Sequence, residues 1–188
     1  MPRVGLNAAA VVNLATEIVD EQGPDAVTLA AVAGRAGVAT PSLYKHVGSL
    51  GELRTLIAAR AMIELTDRIA DAVIGRSGDD AVRSLLQAYR AYVVAYPGRY
   101  RTVPAQPLGD PLLEPVGERL LDVIVAVLRG FGLTGSGAIH AARCIRSAAH
   151  GFAVLEAAGG FGLPEDLDAT YEHLTTMLIA GIRSLERQ

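Results

Sequence analysis

The segment from Thr28 to Val47 constrains the fold of this chain more than any other stretch. Thr28 can cap a short helix on which Val32 and Ala36 share one face. Ala33 is small where a crossing helix must pass close, and Gly37 supplies the left-handed conformation that closes a helix without steric cost. Val38 fills the space beneath the turn. Thr40-Pro41 then opens a second helix with a hydroxyl N-cap and a proline at the first helical position, where a missing N–H costs nothing. Leu43 and Val47, four apart, form its inner face. The spacing predicts two short helices crossing steeply through a tight turn. Two helices that merely pack together would share it, so the outward residues must discriminate. With Leu43 and Val47 turned in, Thr40, Ser42, Tyr44, Lys45 and His46 lie on the outer surface or flanks and can all donate hydrogen bonds. An N-terminal end pointed into a DNA major groove uses such groups to reach phosphates and base edges.

The rest of the 188-residue chain continues in helical periodicity. Ala8, Val11, Val12, Ala15, Ile18 and Val19 stripe a first helix over about 7–22, stopped by Gly23-Pro24. Ser49 and Glu52 have capping-box spacing at the start of a long helix running to about Ile74. Asp79-Asp80 place acidic groups at the positive end of the next helix, which Pro97-Gly98 ends. The prolines between Pro97 and Pro115 predict a short turn or two and an irregular bridge. Further helices are expected over about 112–131, 138–158 and 166–186, the last two joined by the Gly159–Pro164 loop. The expected fold is all-α, with about nine helices. An N-terminal three-helix DNA-binding domain with a helix-turn-helix (1–53) precedes a C-terminal helical ligand-binding and dimerisation domain (54–188), the boundary falling inside one shared helix.

Composition excludes several classes. Cys144 is the only cysteine, so no intramolecular disulfide or cysteine-based zinc site can form. No apolar run approaches the roughly 18 residues of a membrane span, and the first residues lack a signal-peptide pattern. A cytoplasmic protein is expected. His46, His140, His150 and His173 are not spaced as metal ligands, and Gly159-Gly160-Phe161-Gly162 follows a helix where a dinucleotide loop would follow a strand. No enzymatic constellation is present, and neither cofactor nor metal is expected. A formal net charge of -3 excludes a histone-like polyanion binder and leaves room for a local patch. Even so, Arg3, Arg35, Lys45 and Arg54 face Glu17, Asp20, Glu21, Asp25 and Glu52, so electrostatic grip should be modest.

The residues Thr28–Ala33, Ala36-Gly37-Val38 and above all Pro41-Ser42-Leu43-Tyr44-Lys45-His46-Val47, followed by Ser49 and Glu52-Leu53, resemble the TetR family of transcriptional regulators. A second resemblance, through Ala149-His150-Gly151-Phe152 and Leu155–Pro164, is to a WHG-type TetR C-terminal ligand-binding domain. The resemblance implies a homodimer built through the last two helices. It also implies a double-stranded DNA operator and a small-molecule inducer, bound by the central helices, that releases the DNA. Carried over residue by residue, Thr28, Tyr44 and His46 would hold phosphates, while Thr40, Pro41, Ser42 and Lys45 would face bases or the adjoining backbone. Leu50 departs from the lysine common in the family, and Ala30 from a base-reading side chain, so either weaker binding or more reliance on Lys45 and an arm with Arg3 is expected.

In the C-terminal half, Leu85, Tyr89, Tyr92 and Tyr96 fall at intervals of four, three and four. A stripe of rings with polar tips suits either ordinary core or a mostly apolar pocket with polar anchors. Arg143, Arg146, Ser147 and His150 interrupt an apolar helix, where His150 reads as a structural histidine or a pocket donor. Met62 and Phe152 read as pocket walls or packing. The candidate ligand set is Met62, Tyr89, Tyr92, Tyr96, Arg146, His150 and Phe152. Cys144, in mid-helix among apolar neighbours, reads as a small hydrophobe and not a redox switch. Ala148, Ala149, Gly151 and Gly181 allow close helix approach, and Ile139, Ile145, Leu155, Tyr171, Leu174, Leu178, Ile182 and Leu185 supply apolar surface for a dimer. The competing expectation is a DNA-binding regulator with no functional pocket, acting constitutively or through protein contacts.

Overall fold

A computed structural model describes residues 6–107 and 109–185, and among them every regular element is a helix. In chain order these are α1 (Ala8–Gln22), α2 (Leu29–Ala36), α3 (Leu50–Val73), α4 (Gly78–Ala95), α5 (Pro97–Arg101), α6 (Glu114–Arg129), α7 (Gly135–Ala157) and α8 (Leu167–Leu185), with 3-10 turns at Pro24–Ala26 and Thr40–Lys45. Arg3 of the expected arm and Glu186, the expected end of the last helix, lie outside the described residues. The chain divides into two compact units, residues 1–63 with 96–116, and residues 64–95 with 117–188. Compactness therefore draws its boundary inside α3, later than the 53/54 division expected from sequence, and adds 96–116 to the first unit.

The first unit is built on α1, α2, the Thr40–Lys45 turn and the start of α3. Asn7 caps α1 by accepting the Ala10 N–H at 2.8 Å, and Thr28 caps α2 by accepting that of Ala31 at 3.0 Å. Gly37 closes α2 in the left-handed region (φ 68°, ψ 31°), and the Val38 N–H reaches the Ala33 carbonyl at 3.0 Å. Val11, Ala15, Ile18, Val32, Ala33, Leu43, Val47 and Leu53 form one buried cluster, with Val38 packed against it. The expected helix after Thr40-Pro41 is a 3-10 turn: the Ser42 N–H bonds to the Ala39 carbonyl at 2.9 Å and that of His46 to Leu43 at 2.8 Å. A six-residue segment is short enough for the tighter winding, and Leu43 and Val47 are buried regardless.

The capping box at α3 forms with a shift. Ser49 Oγ accepts the Glu52 N–H at 3.0 Å, while the Glu52 carboxylate accepts from Gly48, one residue before the cap, at 2.7 Å. The expected irregular bridge after Pro97 begins instead as α5, because Pro97 at its start needs no N–H partner. This short helix packs on α1.

In the second unit α4 packs against α7 and α8. The buried positions of α7 include Ala138, Ala141, Ala142, Ala149 and Ala153, side chains small enough for a neighbouring helix to approach closely. Tyr171 on α8 donates its hydroxyl to the Leu86 carbonyl at 2.8 Å, and Arg183 in the last turn of α8 forks onto Asp79 in the first turn of α4 at 2.8 and 2.9 Å. Each of those charges also complements its own helix dipole. Ile145, Tyr171 and Ile182 of the expected dimer surface are buried within the chain, Ile139, Leu174, Leu178 and Leu185 are half-buried, and Leu155 is exposed. Cys144, read as a small hydrophobe, is exposed.

Candidate functional site

The two short helical segments place their polar residues outward. Thr28, Pro41, Tyr44 and Lys45 are exposed, and Thr40, Ser42 and His46 are half-buried, around the buried anchors Leu43 and Val47. Tyr44 is an aromatic ring left 56% exposed next to a fully buried leucine, a placement that hydrophobic burial alone would not select. The Thr28 oxygen accepts a backbone N–H as the α2 cap, which leaves its hydroxyl proton available to donate. Lys45 makes no ion pair among the described residues, whereas Arg35 is committed to Glu21 and Glu17. The Arg35 guanidinium holds the Glu21 carboxyl below its usual range, and the same contact raises the Arg35 pKa. Arg99 forks onto Asp20, Arg101 reaches Asp25 at 3.3 Å, and Glu52 is occupied by the Gly48 N–H. The acidic count that made this region look unpromising is thus engaged in ion pairs and a cap, away from the outward donors.

The ligand candidates do not converge in the same way. Met62 is buried with Ala58 and Leu113 in the first unit, and Tyr96 belongs to that unit as the residue preceding α5. Tyr89 and Tyr92 are buried in the second unit, the Tyr92 hydroxyl donating to Glu64 at 3.2 Å with the Arg68 guanidinium over its ring. Arg146 and His150 lie on the exposed side of α7, and Phe152 is buried. Sequence reasoning missed Arg90, which projects from α4 on the face opposite the tyrosine stripe. Arg90 forks onto Glu156 of α7 at 2.6 Å through both contacts and reaches Asp168 of α8 at 2.7 Å. It also lies over the Phe152 and Tyr171 rings. These bonds raise the Arg90 pKa, and burial raises that of Tyr171. Beside this cluster α4, α7 and α8 enclose an open cavity of about 560 Å³, with Ala91, Val94 and Ala95 on one wall and Glu156, Asp168 and Glu172 on the other. The signal was present in the sequence as Gln87, Arg90, Ala91 and Val94 at helical spacing, but its carboxylate partners lie far along the chain.

Among the described residues every regular element is a helix, and a capped helix, a glycine-closed turn and a second short helical segment with outward donors have the layout of a helix-turn-helix. Residues 11–53 match the model of bacterial regulatory proteins of the tetR family, and residues 82–178 match that of the tetracyclin repressor-like C-terminal domain. The chain belongs to the TetR family of transcriptional regulators. It is 36% identical over 182 residues to the HTH-type transcriptional regulator YobS of Bacillus subtilis, covering 96% of this chain and 95% of that one. It is 35% identical to the HTH-type transcriptional regulator Rv0681 of Mycobacterium tuberculosis, covering 94% and 82%. The fold is also similar to that of a TetR variant from Acinetobacter baumannii solved in complex with minocycline, at a TM-score of 0.74 and 21% identity, covering 96% of this chain and 98% of that one. No helix among the described residues is long and apolar enough to cross a membrane.

Proposed function

We propose that this regulator is a repressor that binds a palindromic operator as a homodimer through its last two helices and is released by a small, largely apolar molecule. The observation that carries the DNA half is the exposed Tyr44–Lys45 pair beside the buried Leu43. In this reading Thr28, Tyr44 and His46 hold phosphates, and Thr40, Pro41, Ser42 and Lys45 face bases or backbone. A two-fold dimer would set two such elements at one half-site spacing, so an effector acts through its preference for one arrangement of the dimer over another. The similar TetR structure solved in complex with minocycline supports a small-molecule effector. The 560 Å³ cavity supports a seat in the second unit, since small-molecule sites span about 300–1,000 Å³. The Phe152 ring lies beneath the guanidinium of Arg90, one of the residues lining that cavity.

A second reading, a regulator without an effector, is favoured by the burial of Tyr89 and Tyr92 as core side chains. The test of the DNA half is selection of genomic fragments by the purified protein, followed by binding to the enriched duplex. The expected result is one enriched palindrome, lost in Tyr44→Ala and Lys45→Ala while the sedimentation of both variants matches that of the unmodified protein. Enrichment of no fragment at low salt would overturn the reading. Loss of the dimer in either variant would overturn the division of labour between the two halves.

A further inference from the structure

Among the carboxylates of residues 6–63, Glu17 and Glu21 are taken by Arg35, Asp20 by Arg99, Asp25 by Arg101, and Glu52 by the Gly48 N–H. What stays uncompensated is equally specific. Lys45 is one such cation, and Arg54, one turn into α3, is another: it is exposed and makes no ion pair among the described residues. Its one contact is a long hydrogen bond from Nη2 to the Val27 carbonyl at 3.4 Å. Val27 immediately precedes Thr28, whose hydroxyl is one of the outward donors of the DNA-facing element. Side chains on a helix lean toward its N-terminus, so an arginine at this position reaches back toward the Ser49 end of α3.

We infer that Arg54 is a further DNA-contacting residue, gripping a backbone phosphate beside Thr28. The inference rests on the DNA-binding reading of the Thr28–Val47 element. The long bond to Val27 parks the guanidinium with most of its five donors still available, and a phosphate can take two of them side by side. Two features of the surroundings favour a phosphodiester over a base edge. Arg54 lies on the helix after the Thr40–Lys45 turn, outside the segment that carries the base-facing candidates. Arg54 also borders a recess of about 270 Å³ that it shares with Arg101 and the Asp25 carboxylate paired with it, and with Thr102, Ile57 and Val19. A free anion in that recess has the same chemistry as a DNA phosphate, so the experiment must separate the two.

The experiment is the salt dependence of binding to a duplex selected from a random-sequence pool by the unmodified protein, measured for that protein, Arg54→Gln and Arg54→Lys. Arg54→Gln retains a donor for Val27 and removes the charge, while Arg54→Lys retains the charge. The slope of log affinity against log salt should fall in magnitude by roughly 1 for each protomer in Arg54→Gln and keep its value in Arg54→Lys. The loss of affinity should be similar across the selected sequences, with melting temperatures unchanged. An unchanged slope in Arg54→Gln would overturn the inference and leave the DNA reading intact. A slope unchanged together with an Arg54-dependent thermal shift from inorganic phosphate would assign Arg54 to a free anion and likewise overturn it. Failure of the unmodified protein to select any duplex would remove both.

Discussion

Arg99 on α5 grips Asp20 on α1 with two parallel hydrogen bonds, Nε to Oδ1 at 2.9 Å and Nη2 to Oδ2 at 2.6 Å. The residue before it shows how tightly the two helices are seated. A Cβ added to Gly98 would lie 2.6 Å from the Val19 carbonyl oxygen, and that oxygen already accepts the Gly23 N–H at the end of α1. A five-residue helix has little intrinsic stability. Its place against α1 is therefore decided by this close approach and by the charged fork.

Gly98→Ala is expected to force α5 away from α1 and to destabilise the fold by roughly 1–3 kcal/mol, the usual cost of overpacking against an unyielding neighbour. Arg99→Ala should cost less, about 1 kcal/mol, because the ion pair is only partly shielded from water. Chemical denaturation of the two variants gives both numbers. A Gly98→Ala protein as stable as the original would show that α5 does not hold its position through backbone contact.

In the second unit the Arg90–Glu156 pair is mostly shielded, with side-chain exposures of 16% and 15%. Removing Arg90 leaves Glu156 uncompensated in that environment, and removing Glu156 leaves Arg90 only the exposed Asp168. Arg90→Ala and Glu156→Ala should each destabilise by about 2–3 kcal/mol, discounted from the fully buried case for the remaining solvent. The double variant should cost clearly less than the sum of the two. Additive losses in a double-mutant cycle would mean that the pair is not coupled and that Arg90 is held chiefly by the Phe152 and Tyr171 rings.

Burial raises the pKa of Tyr171 above the ordinary tyrosine value. The folded chain therefore keeps its phenolic proton at a pH where the unfolded chain has begun to lose it. Its contribution to stability is complete below about pH 10, the unfolded value, and declines as the pH rises above it. Tyr171→Phe should remove that decline while costing about 1 kcal/mol at neutral pH, through loss of the hydrogen bond to the Leu86 carbonyl. Unfolding free energies measured from pH 8 to 11 test this. A slope identical in Tyr171→Phe would assign the alkaline decline to other groups.

Local signals were written plainly in the sequence. Thr28, Gly37 and Ser49 act through backbone groups within a few residues of themselves, so their roles as caps and closure can be read from spacing, and each forms. The inward turn of Leu43 and Val47 follows from the same short-range periodicity, even though the segment winds as a 3-10 turn where an α-helix was expected. The outward set from Thr40 to His46 was legible for this reason: its orientation is the complement of two buried neighbours.

Long-range pairing was decided only by the tertiary structure. Whether Glu17, Asp20, Glu21 and Asp25 repel a polyanion or are engaged by Arg35, Arg99 and Arg101 depends on partners as distant in sequence as Asp20 and Arg99. The tyrosine stripe satisfied the periodicity of a pocket wall and of a core equally well, and only packing shows that Tyr89 and Tyr92 are buried. Arg90 could not be singled out, because its carboxylates arrive from α7 and α8. Sequence determines what a residue does to the backbone within one turn of itself, since those contacts close at little entropic cost. Which charges and rings meet across the fold is settled only when tertiary packing brings distant segments together.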